Sequence, residues 1–286
     1  MKRFNKGMLL FVVLAFAKAY TTQAQQDFTG IAHYQSKMTL KQSEDSTQMA
    51  KLDPAMREMI EEAMKKAGEA EFTLKFNRTE SLYEKVQKLA APKKPVNGMS
   101  MTIEMSGNGD TYGTTYKDLA SQTFLREDNI QGKDFLITDK IEKLDWKVTG
   151  ETKMIGKYTA MKATYTFPKE EKEESEEEST SLLNMVDDKE HIVTAWFTMD
   201  IPISNGPGIY QGLPGLILEL NEGEVTILCN KIEMNPEDFE IKKPKKGKKI
   251  SNQDFNELQE KKQKEMQERF KNSKGGNGAI FIETRG

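Results

Sequence analysis

Cysteine and histidine are almost absent from this chain of 286 residues, which contains one cysteine, Cys229, and two histidines, His33 and His191. A single cysteine cannot form an intrachain disulfide or supply a cysteine-rich zinc site. Two histidines argue against a multi-histidine metal site. The chain carries 42 Lys and Arg against 45 Asp and Glu. This acidic balance argues against nucleic acid as the main partner, because phosphate binding requires a basic face.

Apolar runs long enough to cross a bilayer are also lacking. The longest run, Met8–Ala17, has ten residues, whereas a spanning helix needs roughly 20. Three basic residues precede it, and Thr22–Ala24 places small residues at a cleavage site. This pattern predicts a signal peptide over residues 1–24 and therefore an exported protein, periplasmic or associated with the outer membrane. No cysteine follows the predicted cleavage site, so we do not expect a lipoprotein.

Removal of residues 1–24 would take away four cations and change the net charge from −3 to −7. The remaining chain, roughly 260 residues, is long enough to bury a core without disulfides. We expect a β-rich domain over residues 25–241 and a basic, partly helical extension over residues 242–286. Within the domain, residues 169–180 are so rich in glutamate that they predict a flexible, solvated loop.

Short segments of alternating apolar and polar residues predict most of the fold. The predicted strands are residues 28–40, 71–77, 81–86, 99–105, 111–116, 122–127, 133–138, 146–149, 157–167, 191–201, 215–220 and 224–232. Their spacing favours an antiparallel meander. The expected fold class is mainly β (α+β): a curved antiparallel sheet or half-barrel with one or two helices.

Two segments have helical periodicity. Residues 53–67 begin with Asp53 and Pro54, which suit the cap and the first turn of a helix. Ser251 starts a Ser-x-x-Asp sequence, which predicts a charged C-terminal helix over residues 252–271.

Catalytic motifs are missing. The sequence contains no nucleophile elbow, phosphate-binding loop, dinucleotide fingerprint or paired metal-binding histidines. We therefore expect a protein that is not an enzyme and needs no cofactor. The alternative is a hydrolase that uses His191 with neighbouring acids.

Methionine is abundant, with 16 residues. Met99, Met101 and Met105 would share one face of a strand. Thioethers are soft ligands that suit Cu(I), so this group is a candidate copper site in a periplasmic metal-handling protein. The alternative is that these residues fill a core or line an apolar groove.

Residues 200–220 contain four glycines and three prolines between two apolar strands. Such a segment predicts a rigid crossover loop, because glycine permits close backbone approach and proline fixes φ. Two interpretations are open: a tight corner that reverses a bent sheet, or a lip over a ligand groove. We expect Tyr210 and Leu213 to be displayed on this loop.

This segment resembles the GLPGLI family of exported proteins from Bacteroidetes-type bacteria. The agreement covers roughly residues 28–235. It comprises Gly212–Ile217, Ala195–Thr198, Ile201-Pro202, Gly206–Gly208, Leu218–Leu220, Gly132–Ile137, Trp146–Val148, Gly156–Tyr158 and Lys162-Ala163. Ala160 stands where a family cysteine is expected, so any role of that thiol is absent.

The resemblance implies an exported protein whose relatives are mostly of unknown function and often encoded near genes for TonB-dependent outer-membrane transport. It also implies a sheet curved around an apolar interior, similar to the half-barrels of periplasmic lipoprotein carriers. We therefore expect a ligand-binding or accessory module whose partner is an apolar ligand or an envelope protein such as a TonB-dependent receptor. The candidate binding residues are Trp196, Gly206, Pro207, Gly208, Tyr210, Gly212, Leu213, Pro214, Gly215 and Leu216.

Overall fold

A computed structural model describes residues 28–38, 53–54, 57–58, 61–62, 69–87, 113–168, 191–223 and 225–272. These residues form a mainly β fold, as the sequence predicts, with twelve strands and one long helix. Several predictions lie outside the described residues: the signal peptide 1–24, the strand 99–105 with its three methionines, and the acidic segment 169–180. Of the predicted helix 53–67 the structure describes residues 53–54, 57–58 and 61–62, and residues 54, 57, 58, 61 and 62 are helical. The Arg57 N–H donates to the Asp53 carbonyl at 2.9 Å.

The strands form two antiparallel meanders. The first contains β1 (Gly30–Met38), β2 (Glu71–Phe76), β3 (Glu80–Lys85), β4 (Thr114–Asp118), β5 (Thr123–Ile130) and β6 (Lys133–Lys140). The second contains β7 (Lys147–Ile155), β8 (Tyr158–Thr166), β9 (Ile192–Thr198), β10 (Leu216–Glu222) and β11 (Val225–Met234).

The first strand joins the two meanders into one sheet. β1 pairs antiparallel with β2 on one side and with β11 on the other. A twelfth strand, β12 (Lys248–Ile250), pairs parallel with β6. The strand order is β12-β6-β5-β4-β3-β2-β1-β11-β10-β9-β8-β7, so the sheet is open and has β12 and β7 at its edges.

One face of the sheet, here called the inner face, carries most of the apolar core. Along β2 the side chains of Phe72, Leu74 and Phe76 are buried and alternate with half-buried residues. The paired residues on β1, Ala32 and Tyr34, are buried on the same face. Alternation thus places one apolar row of β1 and one of β2 inside.

The C-terminal helix α1 (Asn252–Asn272) covers the inner face beside β5 and β6 and confirms the predicted helix 252–271. Ser251 caps it: its Oγ accepts the Asp254 N–H at 3.1 Å and donates to the Asp254 carboxylate at 2.6 Å. Phe255 is 1% exposed and meets the Phe135 ring edge to face at 5.6 Å. Within the described residues, no helix is both long and apolar enough to span a membrane.

Candidate functional site: the inward loop

The segment that joins β9 to β10, residues 199–215, turns onto the inner face of the sheet and is here called the inward loop. Its apolar side chains Ile201, Ile203, Tyr210 and Leu213 all belong to the main core. The expectation that Tyr210 and Leu213 are displayed is wrong, since they are only 1% and 2% exposed. The loop folds inward because this buries these four apolar side chains against the sheet.

Glycine makes this close packing possible. A Cβ atom on Gly215 would lie 2.0 Å from the Thr198 carbonyl oxygen, so only glycine fits between the end of β9 and the start of β10. A Cβ atom on Gly206 would lie 2.7 Å from the Ile217 side chain. Gly212 has a φ of 98°, a conformation that favours glycine.

Backbone hydrogen bonds satisfy much of the buried loop. The N–H groups of Leu216 and Ile217 donate to the carbonyls of Ile201 and Asn205 at 3.1 and 3.0 Å. The Gly212 N–H donates to Ser204 Oγ at 2.8 Å. A connection this deeply buried is stable only when its polar backbone groups find such partners.

Groups from the connection between β6 and β7, and Tyr34 of β1, bind the loop and the strand that follows it. The indole N–H of Trp146 donates to the Gln211 carbonyl at 2.8 Å, and the Trp146 ring lies 6.2 Å from the Tyr210 ring. The Gln211 amide donates to the Glu142 carbonyl at 2.9 Å. At the start of β10, the Tyr34 hydroxyl donates to the Ile217 carbonyl at 2.7 Å.

Lys117 of β4 binds the middle of the loop. Its ammonium donates to the carbonyls of Gly206 at 3.2 Å and Tyr210 at 3.3 Å, and the residue is only 1% exposed. Burial lowers the pKa of Lys117 to about 7. Sequence reasoning missed this lysine, because a single Lys in a short polar strand looks like an ordinary surface residue.

Two hydroxyl groups lie near Lys117 on the inner face. Ser81 pairs with Lys117 across β3 and β4, and Thr115 precedes Lys117 by two residues on the same face. Both residues are fully buried, and their hydroxyl groups have no hydrogen-bond partner among the described residues. A polar spot therefore interrupts the apolar inner face beneath the inward loop.

Trp196 is separated from the other candidate residues. Alternation along β9 places it on the outer face, where the Lys153 ammonium lies 4.2 Å from its ring centroid. Lys153 also pairs with Glu219 at 2.7 Å. The structure thus brings the candidate residues 206–216 together on the inner face, and Trp196 belongs to an outer-face cluster.

The cysteine is buried, whereas both histidine side chains are about one-third exposed. The His191 ring stacks on Phe167 at 4.8 Å, and its Nε2 lies 3.6 Å from the Glu222 carboxylate. His33 contacts Glu233 at 2.8 Å. Cys229 is 8% exposed, and burial raises the pKa of its thiol to about 12, as expected for a packed strand residue. The described segments contain no cluster of three or more His, Cys, Asp or Glu that could hold a metal ion.

Comparison with known proteins matches one part of the chain to a family of unknown function and does not confirm the resemblance to the GLPGLI family. Residues 146–219 match the profile of a family described as a protein of unknown function, Porph_ging. The match begins just before β7, includes the whole inward loop and ends within β10. No curated protein matches the chain.

Two solved structures are distantly similar to the fold. They are PNGF-II in the C2 and P21 space groups, with TM-scores of 0.44 and 0.43 and sequence identities of 13% and 14%. Both alignments cover 82% of this chain, which spans only 33% and 34% of the PNGF-II chains. Similarity at this distance carries no argument about the function of the chain.

Proposed function

We propose that this is an exported, non-enzymatic protein of the cell envelope that binds an apolar chain on the inner face of its sheet. The inward loop occupies that face in the absence of ligand and leaves it when ligand binds. The observation that carries the proposal is a connection of seventeen residues without helix or strand, ten of which are buried.

Loops normally run over the surface, because a buried loop must find partners for its backbone groups. Structureless connections longer than about 12–15 residues are uncommon in compact domains and usually functional. Two identified attachments of the inward loop are side chain to carbonyl bonds from Trp146 and Lys117. Such bonds each contribute about 1 kcal/mol. The larger contribution is the burial of the apolar side chains of the loop, and an apolar ligand of similar shape would replace that burial.

The surface beneath the loop suits an apolar ligand. Tyr34, Phe72 and Tyr83 are buried on the inner face, and the Phe72 and Tyr83 rings stack at 5.0 Å. A hydrocarbon chain on this face would pack against the same core cluster to which the apolar side chains of the inward loop belong. Aromatic and aliphatic groups of the inner face would therefore line the binding site, and the inward loop would occupy it in the absence of ligand.

The other interpretations receive less support. The described contacts of His191 are with the Phe167 ring and the Glu222 carboxylate. A hydrolase would also need a nucleophile beside the histidine. The copper hypothesis rests on Met99, Met101 and Met105, which the structure does not describe. Association with TonB-dependent transport stays a prediction.

The two tryptophans of the chain provide a matched test. Trp146→Phe removes the hydrogen bond to the loop and keeps an aromatic ring, whereas Trp196→Phe makes the same change on the outer face. We expect the wild-type protein to bind a fluorescent long-chain probe saturably. We expect Trp146→Phe to bind it several-fold more tightly, because the loop is then held less firmly, and Trp196→Phe to bind like the wild type.

Hydrogen exchange with the same probe identifies the site. Amide groups of residues 199–215 should lose protection when the probe binds, while those of β7 and β8 keep theirs. Absence of saturable binding by all three proteins would refute the proposal. So would binding that leaves exchange in the inward loop unchanged.

A further inference from the structure

We propose that Lys117 binds the carboxylate of the ligand, and that the ligand is an apolar chain ending in a carboxylate, such as a long-chain fatty acid. This inference rests on the proposed function and specifies the chemical class of the molecule that replaces the inward loop.

The two contacts of Lys117 give the geometric argument. Its ammonium binds two carbonyl oxygens of the inward loop, those of Gly206 and Tyr210, at 3.2 and 3.3 Å. When the loop leaves the inner face, both oxygens leave with it. A carboxylate offers two oxygens to the same ammonium and adds the negative charge that a pair of carbonyls lacks.

Lys117 is distinguished from the other buried charged groups. Only Lys117, Arg126 and Glu222 are both charged and buried among the residues that the structure describes. Arg126 donates to Asn252 of α1 and lies 3.8 Å from Asp128. Glu222 lies beside His191. Lys117 forms no ion pair with a described carboxylate, so an anion can bind there without displacing a charged partner.

Electrostatics favour an anionic ligand at this position. Burial without a counter-charge lowers the pKa of Lys117 to about 7, so the side chain is largely neutral at pH 8. A carboxylate in contact with the amine favours its protonated form and raises this pKa. Binding of the acid at pH 8 should therefore be accompanied by proton uptake, whereas binding of a neutral chain should not.

The surroundings of Lys117 complete the site. The buried hydroxyls of Ser81 and Thr115 lie on the same face and can donate to the carboxylate. From Lys117 the inner face continues through Tyr83 on β3 and Leu74 on β2 to Ala32 on β1. This row of adjacent strands provides an apolar path for the hydrocarbon chain.

The experiment compares hexadecanoic acid with its methyl ester by isothermal titration calorimetry at pH 8, in two buffers of different ionisation enthalpy. We expect the wild-type protein to bind the acid at least tenfold more tightly than the ester and to take up a fraction of a proton with the acid alone. Lys117→Met should lose both the preference and the proton uptake. Lys85→Met, an exposed lysine on the neighbouring strand β3, should keep both.

Each outcome has a separate meaning. Equal affinity of the wild-type protein for acid and ester overturns the role of Lys117 and leaves the proposed function standing. Binding of neither ligand counts against both. If Lys117→Met does not fold, Lys117→Arg replaces it, because a guanidinium keeps its charge at pH 8. Preference of Lys117→Arg for the acid without proton uptake then supports the inference. No preference for the acid overturns it.

Discussion

Lys117 shows how one residue can make the stability of a protein depend on pH. The unfolded chain holds its proton up to the ordinary lysine pKa of 10.5, whereas the folded protein releases it near pH 7. Between these values the unfolded state binds more protons. Stability must therefore rise as the pH increases through this range, and the cost of the buried charge is fully present below it.

We predict that the free energy of unfolding of the wild-type protein rises by up to about 1 kcal/mol per pH unit between pH 7 and 9, relative to Lys117→Met. Urea unfolding at three pH values in this range measures the slope. The range ends at pH 9, the ordinary thiol pKa of 9.0, because ionisation of Cys229 in the unfolded chain lowers the stability at higher pH. Lys85→Met should follow the wild-type curve, and a constant difference between wild type and Lys117→Met would contradict the prediction.

Gly215 gives a second prediction for a single residue. Gly215→Ala should destabilise the protein by about 3 kcal/mol, because the new methyl group meets the Thr198 backbone and no side-chain rotation relieves the contact. Pro214→Ala, at the exposed neighbouring position, should change stability by less than about 1 kcal/mol. Thermal unfolding of both variants provides the comparison. Similar losses in the two would contradict the close approach of β9 and β10.

Among the elements, α1 shows what the sequence could and could not predict. Its cap and its thin apolar stripe were enough to predict the helix, and alternation was enough to predict β2. The short β12 was missed because its residues, Lys-Lys-Ile, lie in a run of lysines that resembles a solvated segment. Its pairing with β6 involves backbone groups, which the sequence does not reveal.

The inward loop marks the limit of sequence reasoning more clearly. Its glycines and prolines predicted a rigid crossover loop, and the structure places this segment against the inner face of the sheet. Composition could not predict that the loop packs onto the inner face, because this position depends on the apolar side chains of strands that are distant in the sequence. Nothing in the sequence indicated that the loop would cover a lysine, since Lys117 lies far from it in the chain.

The docking of α1 leads to a prediction for a whole element. Phe255→Ala should lower the free energy of unfolding by about 3 kcal/mol, because the ring is buried between the helix and β6. Asn256→Ala, exposed on the same helix, should have little effect. Chemical denaturation measures both. A small loss for Phe255→Ala would mean that α1 contributes little to the stability of the sheet.

At the scale of the molecule, the sheet should unfold as one unit, because β1 belongs to both meanders. Ala32 is fully buried in the middle of β1 and pairs with Leu74 and Ile232. Ala32→Asp should destabilise the protein by several kcal/mol, since it buries a charge without a partner. Gln35→Asp, exposed on the same strand, should be tolerated.

The tryptophans report this cooperativity, because Trp146 immediately precedes β7 and Trp196 lies in β9, so both monitor the second meander. In Ala32→Asp the transitions followed by tryptophan fluorescence and by far-ultraviolet circular dichroism should shift together. Separate transitions would show that the two meanders unfold independently.

The pairing of β1 with β11 also determines when the sheet can form during synthesis. Gly30 pairs with Met234, so the first described strand meets one of its partners only after nearly all the intervening chain has been made. Contacts between such distant segments are slow to form, because closing a long loop costs entropy before any pairing compensates for it. Until β11 emerges, the edge of β1 that pairs with it stays exposed. The strand order therefore predicts slow folding and a need for protection from aggregation.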